Sequence, residues 1–306
     1  MPESVNRYSK NAASPQLTVV KGAGTLSETM KIRNVAAQEM QLLADWAAVE
    51  GWNPGLHDAE CFFAADPQGF FVGEVAGSPV GCISAVAYGQ EFGFIGFYIV
   101  RPEFRGKGYG IQLWQAAMRY LGPRNIGLDG VVAQQANYQQ SGFRLAYRNI
   151  RFGTEYMNKL QPAPGLVPLA QLPFEQLAAY DRRLFAFERQ DFLRCWISRP
   201  QVCALGLLQQ ERLSGYGVLR ACRAGYKIGP LFADGPAEAE ALLAGLTVER
   251  QAGPIFLDAP EVNPQAVRLA ERAGMKPVFE TARMYTQQPP AMPQDKLFGV
   301  TSFELG

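Results

Sequence analysis

The chain holds a single histidine, His57, and five cysteines, no two of them in C-x-x-C spacing. Zinc centres need clustered Cys and His ligands, so no metal ligand is assigned. Cys61, Cys82, Cys195, Cys203 and Cys222 sit mostly in apolar runs and read as reduced core residues of a cytoplasmic protein. An imbalance of charge is also missing. Lys and Arg number 29 against 28 Asp and Glu, a net charge of +1, which argues against nucleic acid or an acidic membrane surface as partner. No stretch approaches the ~20 apolar residues that cross a bilayer, and "MPESVNRYSKNAASPQLTVV" lacks the apolar core of a secretory signal.

What is present is ordinary globular material: 306 residues, 48% apolar and 19% charged, enough for two domains with sizeable cores. After a polar arm over 1–29, "MKIRNV" reads as a strand and "AAQEMQLLADWAAVE" as a helix, with Met40, Leu43, Ala44 and Ala47 at helical spacing. "GWNPG" breaks that helix before a second, "HDAECFFAAD". A hairpin turns at Gly77-Ser78, and "FGFIGFYIV" has the nearly unbroken apolarity of a strand buried on both faces. A helix over "IQLWQAAMRYL", a strand "IGLDGVV", a short helix "QQANYQQSG" and extended "FRLAYRNIRF" follow.

"LQPAPGLVP" carries three prolines and a glycine, the composition of a linker. Beyond it the order restarts: two helices, a hairpin, a strand, a helix, a strand, a helix and an extended segment. "YQQSGF" and "AERAGM" place Gly142 and Gly274 132 residues apart, and an internal duplication accounts for both the order and the spacing.

The chemistry concentrates in "RPEFRGKGYG", residues 101–110. Three alternate glycines beside cations, where a buried strand gives way to a helix, suggest a backbone that closes on an anion. Two phosphate motifs fail. A Walker loop with Lys107 as its lysine would need Gly at 101, where Arg101 stands, and Ser or Thr at 108, where Gly108 stands. A dinucleotide fingerprint would need Gly in place of Ile111 or Leu113.

Arg105, Gly108 and Gly110 do match R/Q-x-x-G-x-G/A, and the turn resembles the pyrophosphate signature of the GNAT superfamily of acyl-CoA N-acyltransferases. The element order from Lys31 to Phe152 is similar to the GNAT order, and "YQQSGF" resembles the superfamily's Y-x-x-x-G-F. "EGWNPG", "FGFIGFYIVRP" and "IGLDGVV" resemble a bacterial subgroup with two GNAT-like halves. The resemblance implies an α/β (α+β) GNAT fold, a mixed central sheet flanked by helices, present twice. Its expected limits are a catalytic domain over 30–158, a linker over 159–168, a degenerate GNAT-like domain over 169–290 and a strand-like tail over 291–306 that pairs onto a sheet edge.

It further implies an N-acetyltransferase that moves an acetyl group from acetyl-CoA, its co-substrate, to a small primary amine by direct attack. The diphosphate would lie on the amides of Arg105, Gly106, Lys107, Gly108, Tyr109 and Gly110. The pantetheine would enter where the strand over 92–101 splays from that over 126–132, beside a bulge at Gly93 or Gly96, held by the backbone of Tyr98, Ile99 and Val100. Tyr138 is the implied general acid toward the thiolate. Asp129 and Glu91 are the candidate bases, and Trp52 and His57 the candidate acceptor contacts. A non-catalytic acyl-CoA-binding or sensing protein is the alternative. In the second half, Ala270 falls at the position of Tyr138, and Asp234, Glu238 and Glu240 replace the cations. Carboxylates there repel a diphosphate, which marks that copy as degenerate.

Overall fold

Each half of the chain lays down a similar run of elements, and each gives one strand to the other. The computed structural model describes residues 29–248 and 252–306; all but the last residue of the polar arm lies outside them. The first half comprises β1 (Lys31–Asn34), α1 (Met40–Val49), α2 (Asp58–Ala65), β2 (Phe70–Val75), β3 (Ser78–Tyr88), β4 (Phe92–Val100), α3 (Tyr109–Leu121), β5 (Asn125–Val131), α4 (Gln135–Gln140) and β6 (Arg144–Thr154). The second comprises β7 (Leu166–Pro168), α5 (Phe174–Phe185), α6 (Gln190–Trp196), β8 (Val202–Gln209), β9 (Arg212–Ala221), β10 (Tyr226–Ala233), α7 (Pro236–Thr247), β11 (Ile255–Pro260), α8 (Pro264–Arg272), β12 (Lys276–Tyr285) and β13 (Leu297–Gly299). The segment expected as a linker thus ends in a strand, β7, which pairs with β8.

The strands form one sheet in the order β1-β2-β3-β4-β5-β12-β6-β11-β10-β9-β8-β7, with β13 on β10. β12 runs antiparallel between β5 and β6, and β6 runs antiparallel between β12 and β11. The exchange is reciprocal, so neither half closes its sheet from its own residues. Gly142 and Gly274, the repeat markers, both adopt left-handed φ (91° and 80°) where a helix turns into an exchanged strand.

Three cores follow from this layout. One packs α3 and α4 on the first half's sheet through Leu113, Trp114, Ala117, Leu121 and Tyr138. Its counterpart packs α7 and α8 on the second half. The third is shared: α1 and α2 meet α5 and α6 through Leu43, Phe62, Leu184, Phe192 and Trp196. Cys61 on α2 and Cys195 on α6 form a disulfide across this shared core. That corrects the expectation of five reduced cysteines. The two are 134 residues apart, so sequence spacing carries no trace of a pairing made by helix packing.

Candidate active site

The site begins where two neighbouring strands part. β4 and β5 pair in parallel from Phe92 and Asn125 to Ile95 and Leu128, and no further. Beyond that point, among the described residues, β4 remains bonded to β3 alone, with a bulge: Cys82 opposes Ile99 and Ser84 opposes Gly96, so Phe97 and Tyr98 face the single residue Ile83. Phe97 itself takes φ 45°. The bulge therefore lies one residue past Gly96 rather than at either glycine. Gly93 pairs regularly with Ala87, and an added Cβ there would meet Leu121 at 2.5 Å; its smallness serves helix packing. Gly96 instead admits the backbone of Glu304, whose oxygen lies 2.3 Å from an added Cβ.

The glycine turn closes the C-terminal end of this notch. Gly106 and Gly108 have φ of 75° and 80° with open space around them, so conformation alone selects glycine. Gly110 serves a different need: a Cβ there would sit 2.7 Å from the Tyr98 hydroxyl, so its absence seats α3 against β4. Gly108 is the N-cap of α3 and offers no capping side chain. The amides of Gly106, Lys107 and Gly108 donate to no protein acceptor among the described residues, and the first-turn amides of Tyr109, Gly110 and Ile111 have no intrahelical partner. Arg105 differs from expectation. Its own amide donates to the Pro102 carbonyl (3.2 Å) and its Nε to the Val100 carbonyl (2.7 Å), and its guanidinium pairs with Glu50 at the end of α1. It braces the turn rather than facing out of it. Lys107 is exposed, with its Nζ 5.2 Å from the Phe104 ring centroid.

Ile99 and Val100 are buried, as is the ring of Tyr109, so only their main-chain groups are available to a ligand. Tyr138 lies over β5: an added Cβ on Gly130 would meet its ring at 2.3 Å, and Trp114 packs on its other side with centroids 5.9 Å apart. Burial pushes the Tyr138 phenol up to about 12 and raises that of Tyr98 as well, the nearby Tyr138 adding to the latter. Tyr138 thus keeps its proton across the neutral range, near the Tyr98 whose hydroxyl abuts Gly110.

Four sequence expectations are corrected by position. The Asp129 side chain is fully buried and committed: Arg283 binds both its oxygens (2.8 and 2.6 Å) and the Asn149 amide donates to it at 2.8 Å. Its oxygens are thus occupied by structural partners. Glu91 is exposed in the turn before β4, at the opposite end of that strand from the glycine loop. Trp52 and His57 face the second half. The Trp52 carbonyl accepts from Arg151 Nη1 and Lys227 Nζ, both at 3.3 Å, while its neighbour Asn53 exchanges two hydrogen bonds with Ala224. His57 precedes α2, with its Nδ1 3.6 Å from Glu60, in a small cleft shared with Trp196, Arg199 and Arg220. The Pro-Gly break that looked like an acceptor wall is a docking loop between halves. No signal in the sequence told the two apart, because the partner turn lies 171 residues away.

The equivalent notch of the second half is filled. β10 and β11 pair only as far as Ile228 and Leu257; then β13 inserts, pairing Gly299 with Leu231 and Leu297 with Phe232. The Val300 amide donates to the Asp258 carbonyl at 2.8 Å. The tail therefore enters a gap inside the sheet rather than an outer edge. In place of the glycine turn stands Asp234, held by Lys296 (3.0 Å) and Tyr180 (3.2 Å). Ala270, at the position of Tyr138, is buried in the core.

The acetyltransferase (GNAT) family model matches residues 36–143, and an acetyltransferase (GNAT) domain model matches residues 177–299. A holothin acyltransferase of Pseudoalteromonas sp. (strain SANK 73390) is 30% identical over 280 residues, covering 91% of this chain and 95% of that protein. A crystal structure from Pyrococcus horikoshii, of a protein assigned as an acetyltransferase, aligns with a TM-score of 0.77 at 20% identity, over 95% of this chain and 100% of that one. A tandem GNAT protein from the clavulanic acid biosynthesis pathway aligns with a TM-score of 0.61 at 13% identity, over 85% of this chain and 100% of that one.

Proposed function

The chain belongs to the GNAT acyltransferases, with two GNAT domains in tandem, and from that premise we propose that its first half transfers an acetyl group from acetyl-CoA to a primary amine. One observation carries the reading. The Tyr138 ring packs on Gly130, two residues past the last β4–β5 pair, and lies near Tyr98, whose hydroxyl abuts Gly110 in the turn with the free amides.

In this reading the diphosphate of the co-substrate rests on the amides from Gly106 to Ile111, where the dipole of α3 adds to the attraction. Arg105 holds the turn against Val100 and Glu50, and Lys107 adds charge from the rim. The pantetheine arm extends along the edge of β4 that β5 has left, past Tyr98, Ile99 and Val100. Main-chain donors beside the bulge polarise the thioester carbonyl. The amine nitrogen bonds to the carbonyl carbon, the C–S bond breaks, and the Tyr138 phenol gives its proton to the departing thiolate. No enzyme nucleophile takes part.

The relative named holothin acyltransferase supports acyl transfer to a small molecule and puts holothin first in an acceptor panel. The test is thiol release from acetyl-CoA across that panel. Tyr138→Phe is expected to lower turnover by roughly 10²–10⁴ while acetyl-CoA affinity stays within about threefold. Unchanged turnover in that variant removes Tyr138 from the mechanism. Failure of the wild type to bind acetyl-CoA removes the reading altogether.

A further inference from the structure

We propose that Glu304, carried by the tail of the second half, is the base that takes the proton from the acceptor ammonium in the first half's site. This rests on the acetyltransferase reading above.

The first support is position. Gly96 is the first residue of β4 past its last pairing with β5, and the main chain of Glu304 lies directly on it: an added Cβ would meet the Glu304 oxygen at 2.3 Å and its Cα at 2.9 Å. Strand alternation sends Gly96 and Gly130 to opposite faces of the sheet. Gly130 carries Tyr138 on one face, and Gly96 carries Glu304 on the other. A base for the entering amine and an acid for the leaving sulfur belong on opposite sides of the carbonyl carbon, and the backbone of Glu304 brings that residue to the face opposite Tyr138.

The second support is availability. The other buried carboxylates on the Glu304 side of the sheet are spent on arginines: Asp129 on Arg283, Asp258 on Arg151, Asp58 on Arg220 and Asp181 on Arg189. Glu304 is 5% exposed and forms no ion pair among the described residues; its carboxyl accepts from its own amide. Its flanking residues, Phe303 and Leu305, are the apolar kind that suits such a site. A carboxylate buried between them without a direct ion pair is disfavoured by desolvation.

The surroundings suit the task. Charged groups face Glu304 from several elements: Lys227 on β10, Arg151 on β6, Asp58 on α2 and Arg220 on β9. Burial raises the Glu304 carboxyl and outweighs the lowering by Lys227 and Arg151, with Asp58 adding to the rise. Burial likewise lowers Lys227. A carboxylate displaced toward neutrality accepts a proton from an ammonium more readily than an ordinary one.

The proton count closes. The ammonium sheds two protons as it becomes an amide nitrogen. One goes to Glu304 and on to solvent, and the other restores the phenol that protonated the thiolate. One proton is released per turnover.

The test uses the full chain with acetyl-CoA, a panel amine ionised at the assay pH, and an aromatic amine that is already neutral there. For Glu304→Gln, kcat/KM with the ionised amine is expected to fall about 10²–10⁴-fold, and the rising limb of its pH profile to disappear. The neutral amine should lose less than about tenfold. Acetyl-CoA affinity and folding are checked in the same preparation. Equal losses with both amines, or a wild-type pH profile, overturn the inference while leaving the transferase reading intact if Tyr138→Phe is impaired. A wild type that releases no thiol overturns both.

Discussion

The two notches of this sheet are built alike and used differently. Each opens at a glycine, Gly96 or Gly229, just past the last parallel pair of its strands. Each glycine has the tail's backbone pressed on it, Glu304 on the first and Thr301 on the second. From there they diverge. The first notch ends in left-handed glycines with unused amides, and the second ends in Asp234, already bonded to Lys296. A space left by parting strands must be filled, because unpaired backbone in an apolar interior is costly. The second half fills its own with β13. In the proposed reading the first leaves the position to the co-substrate. Binding capacity here is thus a matter of which notch the chain does not plug.

The strongest way to break the comparison is to unplug the second notch. Deleting residues 297–306 exposes the sites of five buried apolar side chains, Leu297, Phe298, Val300, Phe303 and Leu305. At ~1.5–3 kcal/mol each, their loss rivals the ~5–15 kcal/mol stability of a typical domain. The truncated chain is expected to unfold at room temperature in a denaturant titration, and any fraction that folds should gain no second site for acetyl-CoA. Two co-substrates per chain by calorimetry contradict the account of the second notch.

A smaller effect is expected at the seam. Replacing Cys61 and Cys195 by serine frees α2 from α6 and should cost about 2–4 kcal/mol, read as a lower unfolding midpoint with one co-substrate still bound. Smaller again is the reciprocal glycine test. Gly108→Ala puts a Cβ on left-handed backbone, a strain of ~1–2 kcal/mol, and should weaken acetyl-CoA binding about tenfold. Gly235 is extended, at φ −161°, and Gly235→Ala should change nothing measurable in binding.

The smallest effect concerns Glu304. Burial raises its folded-state pKa above that of the unfolded chain. Its contribution is therefore complete below the unfolded value and shrinks as pH rises through the folded one. Glu304→Gln has no such loss, so the unfolding midpoint of the variant should gain on the wild type from pH 4 to pH 8. A gap that narrows over this range reverses the sign and refutes the burial argument.

Local features were legible. Alternation gave the hairpins, helical spacing gave α1 and α3, and the pattern Arg-x-x-Gly-x-Gly gave the turn, because each depends on neighbours within a few residues. What was not legible depends on contacts across the duplication. The loop at Trp52 meets Ala224, Cys61 meets Cys195, and Asp129 is neutralised by Arg283 on a strand the other half supplies. Glu304 stood in plain view within "SFELG", a carboxylate between two apolar residues, and only the path of the tail reveals what it faces.

The exchange of β6 and β12 also constrains how the molecule is made. β5 waits for a neighbour that leaves the ribosome some 150 residues later, since Gly130 pairs with Ala282. Until then the transfer domain has an open flank, and pairings of such long sequence separation assemble slowly. A copy that had lost its own chemistry would still be indispensable to synthesis, since the working copy cannot finish its sheet alone.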